Sequence, residues 1–154
     1  MLNAIWFYRI SRWLYLHHIP ILPKIITLLI FLIYNSKIPY TAQIGKKTKF
    51  AYGGIGVVIH SSCIIGNNVQ IGCQVTLGGG NRHYPGVPII KDNVVIKKGA
   101  IVYGGIIIEN NSIIGANSVV NKPVPENSIF AGVPAKFLRK TSNPQINMAG
   151  KDIM

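Results

Sequence analysis

Along the middle of the chain, aliphatic positions recur every six residues. Anchors stand at Ile44 and Phe50, then at Ile59, Ile65, Ile71 and Leu77, then at Ile90, Ile96, Val102, Ile108, Ile114 and Val120. Four residues after most anchors comes a small or β-branched residue: Thr48, Cys63, Val69, Val75, Val94, Ala100, Ile106, Ser112, Ser118 and Val124. Gly, Asn, Lys and Asp fill the positions between, and these residues turn easily. Neither the helical period nor the two-residue strand period produces a count of six. The spacing predicts a parallel β-helix, in which each hexad is a short strand and a turn and stacked coils bury one aliphatic column. Cys63 then reads as a buried small residue and Cys73 as a turn residue, neither with a chemical role.

The period pauses twice. Phe50 to Ile59 is nine residues, through Ala51-Tyr-Gly-Gly-Ile-Gly56, and Leu77 to Ile90 is thirteen, through residues 78–88. A solenoid ejects extra residues sideways as loops, and such loops often carry function. The second loop holds Arg82, His83 and Tyr84, a dense polar and aromatic set inside a bland repeat. The period ends at Pro123 and Pro125, and residues 121–140 are expected to close the open end of the solenoid. Three regions follow: a segment 1–40, a β-helix 41–140 and a flexible polar tail 141–154.

Residues 1–40 obey a different pattern. Ile5–Leu16 reads as a helix with large apolar residues around much of its surface. Ile25–Tyr34 is a nearly continuous apolar run between Pro23 and Pro39. A spanning helix needs about 20 apolar residues, twice what this run offers. No small-residue cleavage site follows it, so it is a poor signal peptide. The segment carries Arg9, Arg12, Lys24 and Lys37, no acid, and both tryptophans, Trp6 and Trp13. Two readings stay open: a monotopic anchor with aromatic and basic residues at the headgroup level, or a helical cap that covers one end of the main domain or joins subunits.

Charge sharpens this picture. Lys plus Arg is 16 and Asp plus Glu is 4 among 154 residues, a net charge of +12. Such a balance suits anionic partners. The four acids are Asp92, Glu109, Glu126 and Asp152, too few for a paired-carboxylate mechanism or a hard-cation cage. Two cysteines without C-x-x-C spacing exclude a disulfide scaffold and fit a reducing cytosol. The expected location is cytoplasmic, with peripheral contact at the inner face of the cell membrane. The basic residues are spread over turns and no nucleic-acid module is visible, so nucleic acid is not an expected partner. A zinc enzyme built on the same repeat needs three converging histidines, and the repeat region has two, so no metal site is expected.

The hexads, the segment Val75-Thr-Leu-Gly-Gly79 with its Arg-His loop, and the ending Ala131-Gly-Val-Pro-Ala-Lys136 resemble the hexapeptide-repeat acyltransferases. The likeness is strongest to the serine acetyltransferase branch and its short relatives in surface-polysaccharide clusters, and it covers roughly residues 41–140. The resemblance implies a left-handed β-helix of triangular section and a homotrimer with acetyl-CoA in the groove between neighbouring subunits. It also implies transfer of an acetyl group to a hydroxyl.

That reaction asks for a general base, and histidine is the natural one. His83 matches the loop histidine of serine acetyltransferases, following Arg82 as it does there. His60 ends the run Gly56-Val-Val-Ile-His60, and His60 and His83 are the catalytic candidates. Tyr52, Arg82 and Tyr84 are the candidates for acceptor binding. The family's Asp-His pair falls where this chain has Tyr52-Gly53, and no acid precedes Asp92. Without a nearby carboxylate a free amino acid's ammonium is poorly held, so a sugar hydroxyl of a surface polysaccharide becomes the expected acceptor. L-serine in cysteine biosynthesis is the alternative, and a non-catalytic β-helical binding module a remote one. Coenzyme A needs basic groups for its phosphates and exposed backbone N–H groups for its arm. By resemblance, Lys98, Gly99 and Ala116 flank that arm, Asn121 and Lys122 follow one coil later, and Lys136 and Arg139 reach the phosphates.

Overall fold

A computed structural model describes residues 2–141. Two helices come first, α1 (Ala4–Leu16) and α2 (Leu22–Tyr34). Short strands follow in chain order: β1 (Gln43–Ile44), β2 (Lys49–Phe50), β3 (Val58–Ile59), β4 (Ile64–Ile65), β5 (Gln70–Ile71), β6 (Thr76–Gly78) and β7 (Ile89–Ile90). Then come β8 (Val95–Ile96), β9 (Ile101–Tyr103), β10 (Ile107–Ile108), β11 (Ile113–Ile114), β12 (Val119–Val120), β13 (Ser128–Gly132) and β14 (Ala135–Lys140). They form a left-handed β-helix of about four turns, as the hexads and the resemblance predict.

The walls are three sheets, ordered β1-β4-β7-β10, β14-β13-β11-β8-β5-β2 and β12-β9-β6-β3. They are called here the first, second and third sheet, in the order in which the chain visits them. All pairs within the coils are parallel and in register, so each anchor stacks on the anchor of the next coil. Phe50, Ile71, Ile96, Ile114 and Phe130 make one such column. The twelve anchors are all buried, and so are the ten small residues four positions on. The six-residue count thus marks two inward positions per hexad.

The corners must reverse direction without a core of their own. Between the first and second sheets, Asn68, Asn93, Asn111 and Asn127 take left-handed φ values of 53–59°. Asparagine tolerates that region because its short amide bonds locally. Here the amides also bond to each other: Asn68 Nδ2 to Asn93 Oδ1 (2.9 Å), Asn93 to Asn111 (3.1 Å) and Asn111 to Asn127 (3.1 Å).

The helices lie against the first coil. Buried Ala4, Ile5 and Tyr8 of α1 and Ile30 and Tyr34 of α2 join the core of the solenoid. Polar groups of α1 then satisfy carbonyls along the coil's open edge. The Tyr8 hydroxyl donates to the Ala42 carbonyl (2.6 Å) and accepts from the Ile44 amide (3.2 Å). The Arg9 guanidinium donates to the carbonyls of Ile44 (2.6 Å) and Gly45, and Arg12 to those of Tyr40 and Thr41 (3.0 Å each). Burial, the largest influence, raises the Tyr8 phenol above its ordinary range, against the neighbouring Arg12. The helices thus cover the first coil, and both arginines of the segment point into the protein. The outer face of the helices nevertheless stays bare.

At the other end β13 and β14 form an antiparallel hairpin on the second sheet, closing the solenoid as expected for residues 121–140. Thr141 is tied down by its amide to the Asn127 carbonyl (2.9 Å). The rest of the expected tail lies outside the described residues.

Candidate functional site

The candidate residues gather at two corners, one on each edge of the third sheet. The corner between the third and first sheets carries His60, directly after β3. One coil along, the same corner ejects the loop between β6 and β7. Its root approaches His60 closely: a Cβ on Gly79 would come within 3.1 Å of His60 Cδ2 and 3.3 Å of Nε2. Arg82, His83 and Tyr84 are exposed in the loop. Asn81 shapes it, its Oδ1 accepting from the amides of His83 (2.9 Å) and Tyr84 (3.1 Å). Tyr84 packs edge-on against Tyr103, with ring centroids 5.7 Å apart, and the Tyr103 hydroxyl accepts from Asn121 Nδ2 (3.3 Å).

The His60 ring has a defined hydrogen bond. Its Nδ1 accepts from the Ser62 amide at 3.1 Å, which leaves the proton of the neutral ring on Nε2. In that state Nε2 donates and does not accept. Among the described residues the His83 ring has no hydrogen-bond partner. The described carboxylates stand elsewhere, Asp92, Glu109 and Glu126 all at the corner between the first and second sheets. There Asp92 Oδ1 accepts from the Asn67 amide at 2.7 Å. No carboxylate among the described residues orients either histidine.

The corner between the second and third sheets holds a groove of about 670 Å³. Its floor is the outer face of the second sheet with Gln70 and Val95, and its rim carries Lys49, Lys97, Lys98, Tyr52 and Ala116. Gly72 and Gly115 also line it, and the next coil lies directly against both: their amides donate to the carbonyls of Ile96 and Phe130 (2.8 Å each), a Cβ on Gly72 would meet the backbone of Lys97 and Lys98, and one on Gly115 would sit 2.6 Å from the Cβ of Ala131. Ala131 pairs with Lys136 on β14 and Ile129 with Arg139, with a bulge between the two pairs. Three residues normally put side chains on opposite faces of a strand, and the bulge restores the same face. Lys136 and Arg139 therefore both stand on the outer face of the second sheet, in continuation of the groove floor.

The sequence-predicted residues thus divide. Lys98 and Ala116 line the groove, Gly99 lies beside Lys98 in the same turn, and Lys136 and Arg139 extend it. Asn121 and Lys122 do not join them. They follow β12 at the opposite corner, beside Tyr103 and the histidine loop. Tyr52, left-handed at φ 49° and 72% exposed, lies on the groove and not with Arg82 and Tyr84. Lys49, Lys97 and Tyr103 were not anticipated. Lys97 shares its turn with Lys98, a signal available in the sequence, whereas Lys49 and Tyr103 meet the sites only through stacking of coils. Among the described residues no group of three His, Cys, Asp or Glu side chains could hold a metal.

A solenoid of hexads with a basic groove fits the resemblance to the hexapeptide-repeat acyltransferases, and residues 88–122 match the bacterial transferase hexapeptide (six repeats) family. That match and the relatives below support a place in the family, in a serine acetyltransferase-like branch. It is 40% identical over 142 residues to the serine acetyltransferase of Bacillus subtilis (strain 168), covering 89% of this chain and 63% of that protein. It superposes on a solved serine acetyltransferase in complex with CoA with a TM-score of 0.79, at 36% identity over 88% of this chain and 55% of the other. The serine acetyltransferase of Neisseria gonorrhoeae in complex with serine gives a TM-score of 0.80 at 32% identity, over 88% and 55%. The chain thus spans about three-fifths of the length of these relatives. The Bacillus match leaves out only 11% of this chain, less than residues 1–40 hold, so the similarity reaches into the helices.

Proposed function

We propose that the protein is an O-acetyltransferase that moves the acetyl group of acetyl-CoA to a hydroxyl, with L-serine as the first acceptor to consider. The observation that carries the reading is the groove. Lysines on its rim suit phosphates, and the small residues Gly72, Gly115 and Ala116 along it leave width for a slender arm. Lys136 and Arg139 add charge where the groove continues. The sequence alone favours a sugar acceptor; the relatives and solved structures are serine acetyltransferases and turn that preference toward serine. One observation keeps a glycan hydroxyl as the second reading. No described carboxylate stands at the histidine corner or the groove to receive an ammonium.

The two half-sites lie on opposite edges of one sheet. A homotrimer, in which the groove of one copy faces the histidine loop of the next, brings Tyr52, Lys98 and Ala116 against His60 and His83. The hydrogen bond of His60 supports a division of labour. Its Nε2–H donates to the acyl oxygen as negative charge develops there. His83 accepts the proton of the attacking hydroxyl. The hydroxyl oxygen bonds the acyl carbon, the carbon–sulfur bond breaks, and the proton passes to the departing sulfur. Acetyl-CoA supplies the activated thioester.

The test is CoA release from acetyl-CoA by the purified protein with L-serine and, in parallel, with free and lipid-linked sugars. Serine-dependent release is expected. Release with a sugar alone moves the acceptor to the second reading. Absence of release with every acceptor, while CoA binds, refutes the acetyltransferase.

A further inference from the structure

We propose that the outer face of the helix pair docks on an anionic lipid surface, with both helices lying in the plane of the headgroups. This inference is independent of the acceptor.

On α1 the residues Trp6, Ile10 and Trp13, with Leu2 just before the helix, follow helical spacing along the side opposite Tyr8 and Ser11. All four are exposed, Trp6 at 67% and Trp13 at 55%. On α2 only Pro23, Ile30 and Tyr34 are buried, while Leu28, Leu32 and Ile33 face outward. A helix apolar all round belongs in a core or in lipid. Contiguous bare patches of this kind mark interaction sites. Neither helix can cross a bilayer. Each has 13 residues, about 20 Å at the helical rise against a hydrocarbon core of about 30 Å, and no described helix is long and apolar enough to span. Tryptophan and tyrosine in such a face favour the interfacial zone.

Charge selects the occupant. A second groove, of about 710 Å³, opens between α1 and the first coil, lined by Asn3, Trp6, Arg9, Lys46, Lys47 and Lys49 among others. Trp6 belongs both to this groove and to the bare stripe, so the cationic groove opens at the edge of the apolar face. Lys46, Lys47 and Lys49 are exposed, as is Lys24 on α2. No Asp or Glu occurs before Asp92, which stands at the same corner two coils further on, beyond Asn67. A second copy laid on this face would bring lysine against lysine. A leaflet of anionic phospholipids offers phosphates at the groove and hydrocarbon at the stripe.

The experiment is flotation of the full chain with phosphatidylcholine vesicles, with and without phosphatidylglycerol, at low and high salt, following tryptophan emission. Binding to the phosphatidylglycerol vesicles, weakened by salt and accompanied by a blue shift, is expected. Lys46→Gln with Lys47→Gln lowers affinity about five-fold per lysine. Trp6→Ser with Trp13→Ser, both at exposed positions, abolishes binding while the thermal transition is retained. Failure to float overturns the proposal, and so does flotation indifferent to the tryptophan variant. Lipid-free protein that sediments as a larger assembly with emission already blue-shifted and unchanged by vesicles also overturns it, and assigns the face to a protein contact.

Discussion

At the corner between the first and second sheets, four asparagines turn the chain, bond to one another and stand beside all three described carboxylates. At the corner between the third and first sheets the same coils present His60, Gly79 with its loop, Tyr103 and Asn121. Both corners obey the same six-residue rule, and both rest on buried aliphatic residues. They differ in saturation. The amides of the asparagine corner bond to each other and the Asp92 carboxylate caps a backbone amide, so little hydrogen-bonding capacity is left for a ligand. The histidine corner keeps a ring N–H on His60 and an unpartnered ring on His83. A repeat can thus devote one corner to holding register and another to chemistry, because each corner is built from its own column of residues.

Substitutions at the two corners should separate these roles. The largest effect is expected at the histidines. His83→Ala should lower acetyl transfer by about 10²–10⁴-fold, the usual worth of a general base, with CoA binding retained. His60→Gln should keep more activity than His60→Ala, because an amide can still donate. If His83→Ala transfers acetyl at the original rate, the base is His60 and the division of labour collapses. Asn93→Ala should do the reverse, leaving turnover of the folded protein unchanged while lowering stability by about 3 kcal/mol in urea unfolding. It removes two side-chain hydrogen bonds and strains a left-handed residue. Asn93→Gly removes only the bonds and should cost about half as much.

At the groove, Lys136→Ala with Arg139→Ala should weaken CoA binding about ten-fold and flatten its salt dependence, as expected for charge-assisted contacts to phosphate. Unaltered titrations would return both residues to the solvated surface. The smallest effect concerns Cys63, which lies under the histidine corner. Burial pushes its thiol from an ordinary 9.0 up to about 12, and Sγ donates to the Pro88 carbonyl at 3.2 Å. Because the folded state favours the neutral thiol, this contribution to stability is complete below pH 9.0 and is lost as pH rises toward 12. At neutral pH a thiol reagent should label Cys73 well before Cys63, and equal rates would show that the corner opens readily.

Much of this architecture was legible in the spacing of Ile, Val and Leu, since a strict period names the inward positions directly. The loop at Arg82–Tyr84 announced itself by breaking the period. Other features were hidden because they depend on how coils stack. Asn121 and Lys122 follow Ala116 closely in sequence, yet lie across a sheet from it. Lys136 and Arg139 share a face only through a bulge that no residue type advertises. Tyr8, Arg9 and Arg12 meet carbonyls some 28–36 positions away, a separation at which periodicity carries no information.

Those three residues of α1 have one more consequence. A solenoid of parallel strands ends in a row of unpaired amides and carbonyls, which could template another coil from a neighbouring molecule. Here Asn3, Tyr8, Arg9 and Arg12 bond to that row at Phe50, Ala42, Ile44, Gly45, Tyr40 and Thr41. Each molecule thereby carries its own terminator against filament growth, and a chain stripped of its first helix would present a sticky end.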